Sequence, residues 1–419
     1  SDSEMLISVY LPTVDLDSWR PIATLFGEQP SETQPTWYPV FDMNFDFLEL
    51  GALELKQIKS ETKFIDGQID LQFFSNLADG KLLIDDALGD VPKLTLTRLS
   101  MSKDFLAEKV SGQSLDPRTF PASDIVLESV AVDEKLWGNI SFQLRPNSEG
   151  AAFKNIEGDI FGLRPGELAE EGETLFFWGF DDKQYSSRLT GPVGINNIGD
   201  LFEGLEIPTP VDSQSGKLVL DLEWLDQPWS FSKQNMAGNF YVELNQGSFY
   251  TSPGGASAAL KLVSLFNFAN WLRRLQLDFS DVVGENLAYN NLQGKVEFDE
   301  GRARLLDPLK MQMPSGRMSM AGEFNLLNET ADAQLVATLP VATNLPWVVA
   351  LLGGIPAAAG VYVTSKIVEK QVDRLSSISY NLNGPWDDIE VSVDKIFAAQ
   401  LDEKPIETPV PVQSSGNKK

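Results

Sequence analysis

Leu218-Val219-Leu220-Asp221-Leu222-Glu223-Trp224 puts Leu218, Leu220, Leu222 and Trp224 on one face of an extended chain and Val219, Asp221 and Glu223 on the other. That period of two predicts a β-strand with one dry and one wet face. The pattern recurs in both directions. Ile69, Leu71 and Phe73 oppose Asp70 and Gln72; Phe240, Val242 and Leu244 oppose Tyr241, Glu243 and Asn245. Met318, Met320 and Phe324 oppose Ser319, Glu323 and Asn325, and Ile389, Val391 and Val393 close the series. Turn chemistry at Asp66-Gly67, Asp79-Gly80, Gly158-Asp159, Asn245-Gln246-Gly247 and Glu300-Gly301 separates these runs, so the strands are expected to form a long antiparallel meander. The dry face needs a cover. Either a second layer of the same chain closes over it, as in a sandwich or barrel, or it is the wall of an open groove covered by a ligand.

Two segments break the strand rhythm. Ala256–Leu277 reads as a helix, with Leu262, Val263, Leu265, Phe266, Ala269, Leu272 and Leu275 at three- and four-residue spacings and Arg273-Arg274 near the C-terminal end of its dipole. From Ala333 to Ser365 there is no charged residue. That length passes the test of about 20 apolar residues for a membrane span. Pro340, Pro346, Pro356 and Gly353-Gly354 argue instead for short kinked helices such as Trp347–Leu352 and Ala357–Arg374. Beyond Leu401, Pro405, Pro409 and Pro411 lead into a tail expected to be disordered.

The chain has 419 residues, 42% of them hydrophobic and 22% charged, enough for two or three domains or one elongated one. Thirty-three Lys and Arg face 60 Asp and Glu, a net charge of -27, which repels phosphate backbones and makes nucleic acid a poor partner. Without cysteine or histidine there is no thiolate nucleophile, disulfide, ordinary zinc site or imidazole base. Ser1 in place of Met, with no basic-then-apolar leader after it, reads as a processed chain or a fragment of something longer.

Acidic neighbours at Asp85-Asp86, Asp181-Asp182 and Asp387-Asp388 could in principle serve a glycosidase, but adjacent strand residues point to opposite faces and solvated turns explain them. Gly162-Leu163-Arg164-Pro165-Gly166 and Pro253-Gly254-Gly255 lack the following Lys-Ser/Thr of a phosphate loop and read as turns. Arg273-Arg274 could meet a phosphate headgroup or pair with Asp278 and Asp281. These patterns specify no catalytic residue, metal ligand or cofactor.

The order of phrases is more specific than any one of them. It runs Leu136-Trp137-Gly138, Glu223-Trp224-Leu225-Asp226-Gln227-Pro228-Trp229-Ser230-Phe231, Met236-Ala237-Gly238-Asn239-Phe240 and Leu244-Asn245-Gln246-Gly247-Ser248-Phe249. Leu272–Asp281, a strand centred on Gly294, Met320–Leu326, and finally Ser379-Tyr380-Asn381-Leu382-Asn383-Gly384-Pro385-Trp386 follow. This order resembles the C-terminal part of the YhdP family of AsmA-like proteins, from about Leu136 to Val393. The resemblance implies an elongated, mainly β protein whose antiparallel sheet curls into an open apolar groove, with a few helices near the C-terminal end. It implies phospholipid movement between the inner and outer membranes of a Gram-negative envelope, supporting outer-membrane biogenesis. It also implies a periplasmic part of an inner-membrane-anchored protein with its C-terminal end towards the outer membrane.

On that reading the chain divides into groove segments 1–135 and 136–235, a C-terminal region 236–400 with helices near 256–277 and 345–375, and a tail 401–419. The partners are phospholipids and the two membranes, and no residue need react. Acyl chains leaving water gain about 0.8 kcal/mol per CH₂ while the headgroup stays at the groove mouth. The expected groove wall is Ile69, Leu71, Phe73, Leu218, Leu220, Leu222, Phe240, Val242, Leu244, Met318, Met320 and Phe324, any of them open to a shift of face by a bulge. Trp347, Val348, Leu351, Leu352, Ile355, Val361 and Tyr362 are the expected groove-end or membrane-contact residues. The alternative is a closed β-rich structural or surface scaffold without lipid; a carbohydrate-active enzyme on a β-scaffold is a third.

Overall fold

The computed structural model describes residues 3–15, 37–50, 53–65, 68–85, 91–102, 115–182, 184–206, 208–250, 286–314, 316–339, 376–386 and 388–396. The expected helices at 256–277 and 345–375, the tail after Leu401, Asp66-Gly67 and the seven groove-end residues from Trp347 to Tyr362 lie outside them. The fold is mainly β, and the chain divides into two compact units, Ser1–Ile160 with Leu175–Ser186, and Phe161–Thr174 with Ser187–Lys419.

The first unit holds β1 (Ser3–Asp15), β2 (Trp37–Leu50), β3 (Leu53–Ile65), β4 (Gln68–Phe74), β5 (Ala78–Asp85), β6 (Lys93–Met101), β7 (Ser123–Val132), β8 (Lys135–Pro146) and β9 (Gly150–Ile160). Each pairs with the next, mostly antiparallel. Two pairs depart from the expected meander: β1–β2 and β6–β7 are parallel. Both follow long connections, residues 16–36 and 102–122, and a parallel neighbour needs a crossover of about a dozen residues or more. Tight-turn logic cannot apply across such lengths.

The second unit begins with the short β10 (Leu163–Pro165); β11 (Leu175–Asp181) returns to the first unit, where it pairs antiparallel with β9. Ser187–Ile195 of β12 (Gln184–Ile195), the short helix α1 (Ile198–Gly204), β13 (Ser215–Trp224), β14 (Met236–Tyr250), β15 (Asn286–Asp299), β16 (Arg302–Met313), β17 (Gly316–Asn325), β18 (Thr330–Leu339), β19 (Ser376–Pro385) and β20 (Glu390–Ile396) complete it. From β12 to β20 every successive pair is antiparallel. Among the described residues, no pairing joins the outer strands of either unit into a closed barrel.

The predicted strands fall in β4, β13, β14, β17 and β20, with Ile389 of the last run one residue before β20. The predicted turns divide. Glu300-Gly301 is a two-residue hairpin loop with both φ angles positive, 44° and 76°, the geometry that suits the twist of the flanking strands. Asp79-Gly80, Gly158-Asp159 and Asn245-Gln246-Gly247 instead lie within β5, β9 and β14. A glycine in a strand marks a bulge or a close backbone approach as well as a turn. Asp79-Gly80 sits at a register shift, and a Cβ on Gly158 would stand 2.3 Å from the Asn139 carbonyl oxygen across the sheet. The uncharged run also begins differently from its reading: Ala333–Leu339 belongs to β18, with Ala331, Ala333 and Leu335 buried and Asp332 and Gln334 facing outward.

Candidate functional site

In the first unit the register lines apolar side chains into rows that cross the sheet. One row runs Leu71, Leu82, Leu94, Ile125 and Phe142, each directly opposite the next. Phe142 continues it to Phe153 at 5.2 Å between ring centroids, and Phe153 to Phe176 at 5.3 Å. Beside it run Phe73, Gly80, Leu96, Leu127 and Ile140, and on the other side Ile69 faces Ile84. Every residue in these rows is half-buried, neither sealed nor free. The opposite face carries the charge: Lys81 pairs with Asp70 at 2.7 Å, Arg98 with Asp79 at 2.7 Å and Arg145 with Asp124 at 2.5 Å.

The second unit repeats the division. Leu218 stands opposite Val242, Leu220 opposite Phe240, and Leu222 opposite Gly238. Leu244 leads through Leu292 and Met311 to Met318, and Phe240 to Val296. Met320 faces Leu335, which faces Tyr380. Burial here is uneven. Leu218, Leu220, Leu222, Phe240 and Val242 are half-buried, whereas Leu244, Met318, Met320 and Phe324 are sealed, the last two at 0% exposure. Burial pushes the Tyr380 hydroxyl on this face to a pKa above its ordinary range. The polar face carries Arg188–Asp221, Lys217–Glu171, Arg302–Glu323 and Arg304–Glu297.

All twelve sequence-chosen wall residues therefore lie in apolar rows, three in the first unit and nine in the second. The rows also contain Leu82, Leu94, Leu96, Ile125, Leu127, Ile140, Phe142, Phe153 and Phe176, which the choice omitted. Their signal was the same alternation, plain in Leu94-Thr95-Leu96 and Ile140-Ser141-Phe142.

The dry face of this unit changes parity in β15. In β15 the buried positions step from Val296 and Leu292 to Tyr289 and Leu287, opposite the stretch of β14 where Gln246 takes a φ of 53°. There Phe249, Tyr289 and Leu287 pack in one cluster with Ile198 of α1 and Val211. Asp212 ties this corner together: its carboxylate accepts from the Ser248 N–H at 2.6 Å and from the Tyr250 hydroxyl, and its carbonyl accepts from the Tyr289 hydroxyl. Burial of the ring, with the Asp212 charge beside it, holds the Tyr289 pKa up.

Among the described residues no group of three or more Asp and Glu converges as a metal site. Asp181 and Asp182 are both exposed at the end of β11.

The family model described as YhdP protein matches residues 1–391. The chain belongs to the YhdP family. A curated relative, the "Intermembrane phospholipid transporter YhdP" of Escherichia coli (strain K12), is 22% identical over 245 residues, covering 57% of this chain. The chain spans 19% of that relative's length. No solved structure matches. Among the described residues no helix is long and apolar enough to cross a membrane.

Proposed function

We propose that this YhdP-family chain carries phospholipids without reacting with them, its sheet forming part of an apolar groove between the inner and outer membranes. The observation that supports it most is the half-buried row from Leu71 to Phe176, seven apolar side chains contributed by seven strands with no charge among them. Acyl chains can cover such a wall at about 25 cal/mol per Å² of apolar surface removed from water. Because the wall is uniform, no single site binds tightly enough to stop movement, and one charge on it would be a barrier. On this reading the chain lies in the periplasm as part of an inner-membrane-anchored protein, its C-terminal end towards the outer membrane, and serves outer-membrane biogenesis. Trp347, Val348, Leu351, Leu352, Ile355, Val361 and Tyr362 would shield the groove end or touch the membrane.

A second reading has its own support. The sealed side chains Met318, Met320, Phe324 and Leu335 are what a closed core requires, so the second unit fits a scaffold without cargo as well. Mass spectrometry of an organic extract of the purified chain decides between them. Phospholipid in the extract is the expected result. A lipid-free, monomeric, cooperatively unfolding protein would overturn the transport reading and leave the scaffold.

A further inference from the structure

A cavity of about 220 Å³ opens on the polar face of the second unit, across β15 to β18. Its polar lining includes Lys310, Arg317, Gln293, Gln312, Ser319 and Thr338, two cations and, among the described residues, no carboxylate. In a chain with 60 acidic and 33 basic residues that composition is unusual. The register explains how it is assembled. Gln312 stands opposite Arg317, Lys310 opposite Ser319 and Gln293, and Arg317 opposite Thr338.

Arg317 is also exceptional in its partners. Of the eight arginines among the described residues, the other seven each hold a carboxylate within 4 Å: Arg98, Arg118, Arg145, Arg164, Arg188, Arg302 and Arg304. Among the described residues neither Arg317 nor Lys310 has an ion-pair or side-chain hydrogen-bond partner. A planar guanidinium fork and an ammonium, flanked by the Ser319 hydroxyl and by amide donors, present an array suited to a tetrahedral oxyanion, while the Thr338 hydroxyl on the cavity wall is hydrogen-bonded to Ser377 Oγ at 2.8 Å.

Its position in the fold matters as much. Arg317 adjoins Gly316 at the β16–β17 hairpin, and Lys310 lies three residues from Met313, within about 10 Å of the end of the sheet. At that same end β14 stops beside the start of β15, with Tyr250 opposite Asn286, and β18 stops beside the start of β19, with Leu339 opposite Ser376. The uncharged stretch 340–365 is therefore joined to the sheet at the rim where Lys310 and Arg317 sit.

We propose that Lys310 and Arg317, with Ser319, form a phosphate-binding site at this rim. The shared chemistry is a phosphate oxyanion, supplied either by the phosphodiester of a phospholipid headgroup, which rests on the transport reading above, or by free phosphate. Calorimetric titration of the chain at low salt with glycerophosphoglycerol, a headgroup without acyl chains, and separately with inorganic phosphate tests it. Saturable binding is expected, weakened about tenfold or more by Arg317→Gln and by Lys310→Gln, and partly restored in Arg317→Lys, with no change in thermal unfolding. Arg302→Gln, outside the cavity, should leave binding unchanged. Preference for glycerophosphoglycerol would identify the headgroup as source, and preference for inorganic phosphate the free anion. No saturable binding of either probe, or equal binding by Arg317→Gln and Lys310→Gln, would overturn the site. Extracted lipid reports on the transport reading separately: a chain that yields no lipid yet binds phosphate keeps the site and loses the groove.

Discussion

Phe142 and Phe153 lie 5.2 Å apart, tilted by 47°, and carry the apolar row from β8 to β9 where the register between these strands shifts. Aromatic rings bridge such a shift because their reach spans diagonal as well as direct neighbours. The row thus stays apolar across an irregularity that would have left a gap between shorter side chains.

A carboxylate should be tolerated on this row and not in the sealed part of the second unit. Leu94→Asp removes a half-buried side chain, a loss of about 1–2 kcal/mol, and its carboxylate keeps access to water when the face is empty. Met320→Asp places a charge where exposure is 0%, with a cost of roughly 3–5 kcal/mol. Urea denaturation of the two variants measures the difference. Equal destabilisation would make the Leu94 row ordinary core and remove the main support for an open wall.

Charge at the middle of the second unit's wall should separate folding from transport. Leu220 and Val242 are half-buried on the same face as the sealed set, so Leu220→Asp or Val242→Asp is expected to keep a cooperative melt while losing copurified lipid. A collapsed melting transition in either variant would place these positions in a closed core.

The pair Arg98–Asp79 should make stability pH-dependent at the acid end. Arg98 Nε and Nη2 donate to the two Asp79 carboxylate oxygens at 2.7 and 2.9 Å, and Nη2 also donates to the Ser75 carbonyl at 2.6 Å, pinning the β4–β5 turn. The guanidinium hydrogen bonds hold the Asp79 carboxyl below its ordinary value of 3.8. A lowered folded-state pKa contributes stability that is fully present above the unfolded value and lost as pH falls through the folded one. The pair is partly exposed, so about 1 kcal/mol or less is at stake. Asp79→Asn should therefore lower the urea midpoint at pH 7, and the gap from the parent should close as pH falls below about 4. A gap constant from pH 7 to pH 3 would show that the charge contributes nothing.

Alternation made the strands and the dry face legible, because side-chain period and burial are linked directly in an extended chain. Connectivity was less legible. The parallel neighbours β1–β2 and β6–β7 depend on what the long segments between them do, and no local pattern encodes that. Glycine misled for a related reason: the residue that allows the Glu300-Gly301 hairpin also allows Gly158 to pass within a strand, and only the neighbouring backbone distinguishes them. The polar cavity was missed because Lys310 and Arg317 carry no motif. They meet through register, and what sets them apart is the lack of acids around them among the described residues.

Gly138 and Gly158 give the sharpest backbone prediction. They lie on the adjacent strands β8 and β9 with φ angles of 135° and 149°, a region L side chains rarely adopt. A Cβ on Gly138 would stand 1.9 Å from the Asp159 carbonyl oxygen, and one on Gly158 2.3 Å from that of Asn139, so the two strands approach too closely for any side chain there. The obstacle is backbone, which cannot swing aside as a side-chain tip could. Gly138→Ala should accordingly cost more than the roughly 1 kcal/mol typical of a point substitution, through both strain and separation of the β8–β9 ladder. Amide hydrogen exchange should show the loss concentrated at Asn139, Ser141 and their partners Asp159 and Glu157. An Ala variant with the parent's midpoint and unchanged protection at those amides would show that the ladder relaxes freely and that the close approach is not a constraint.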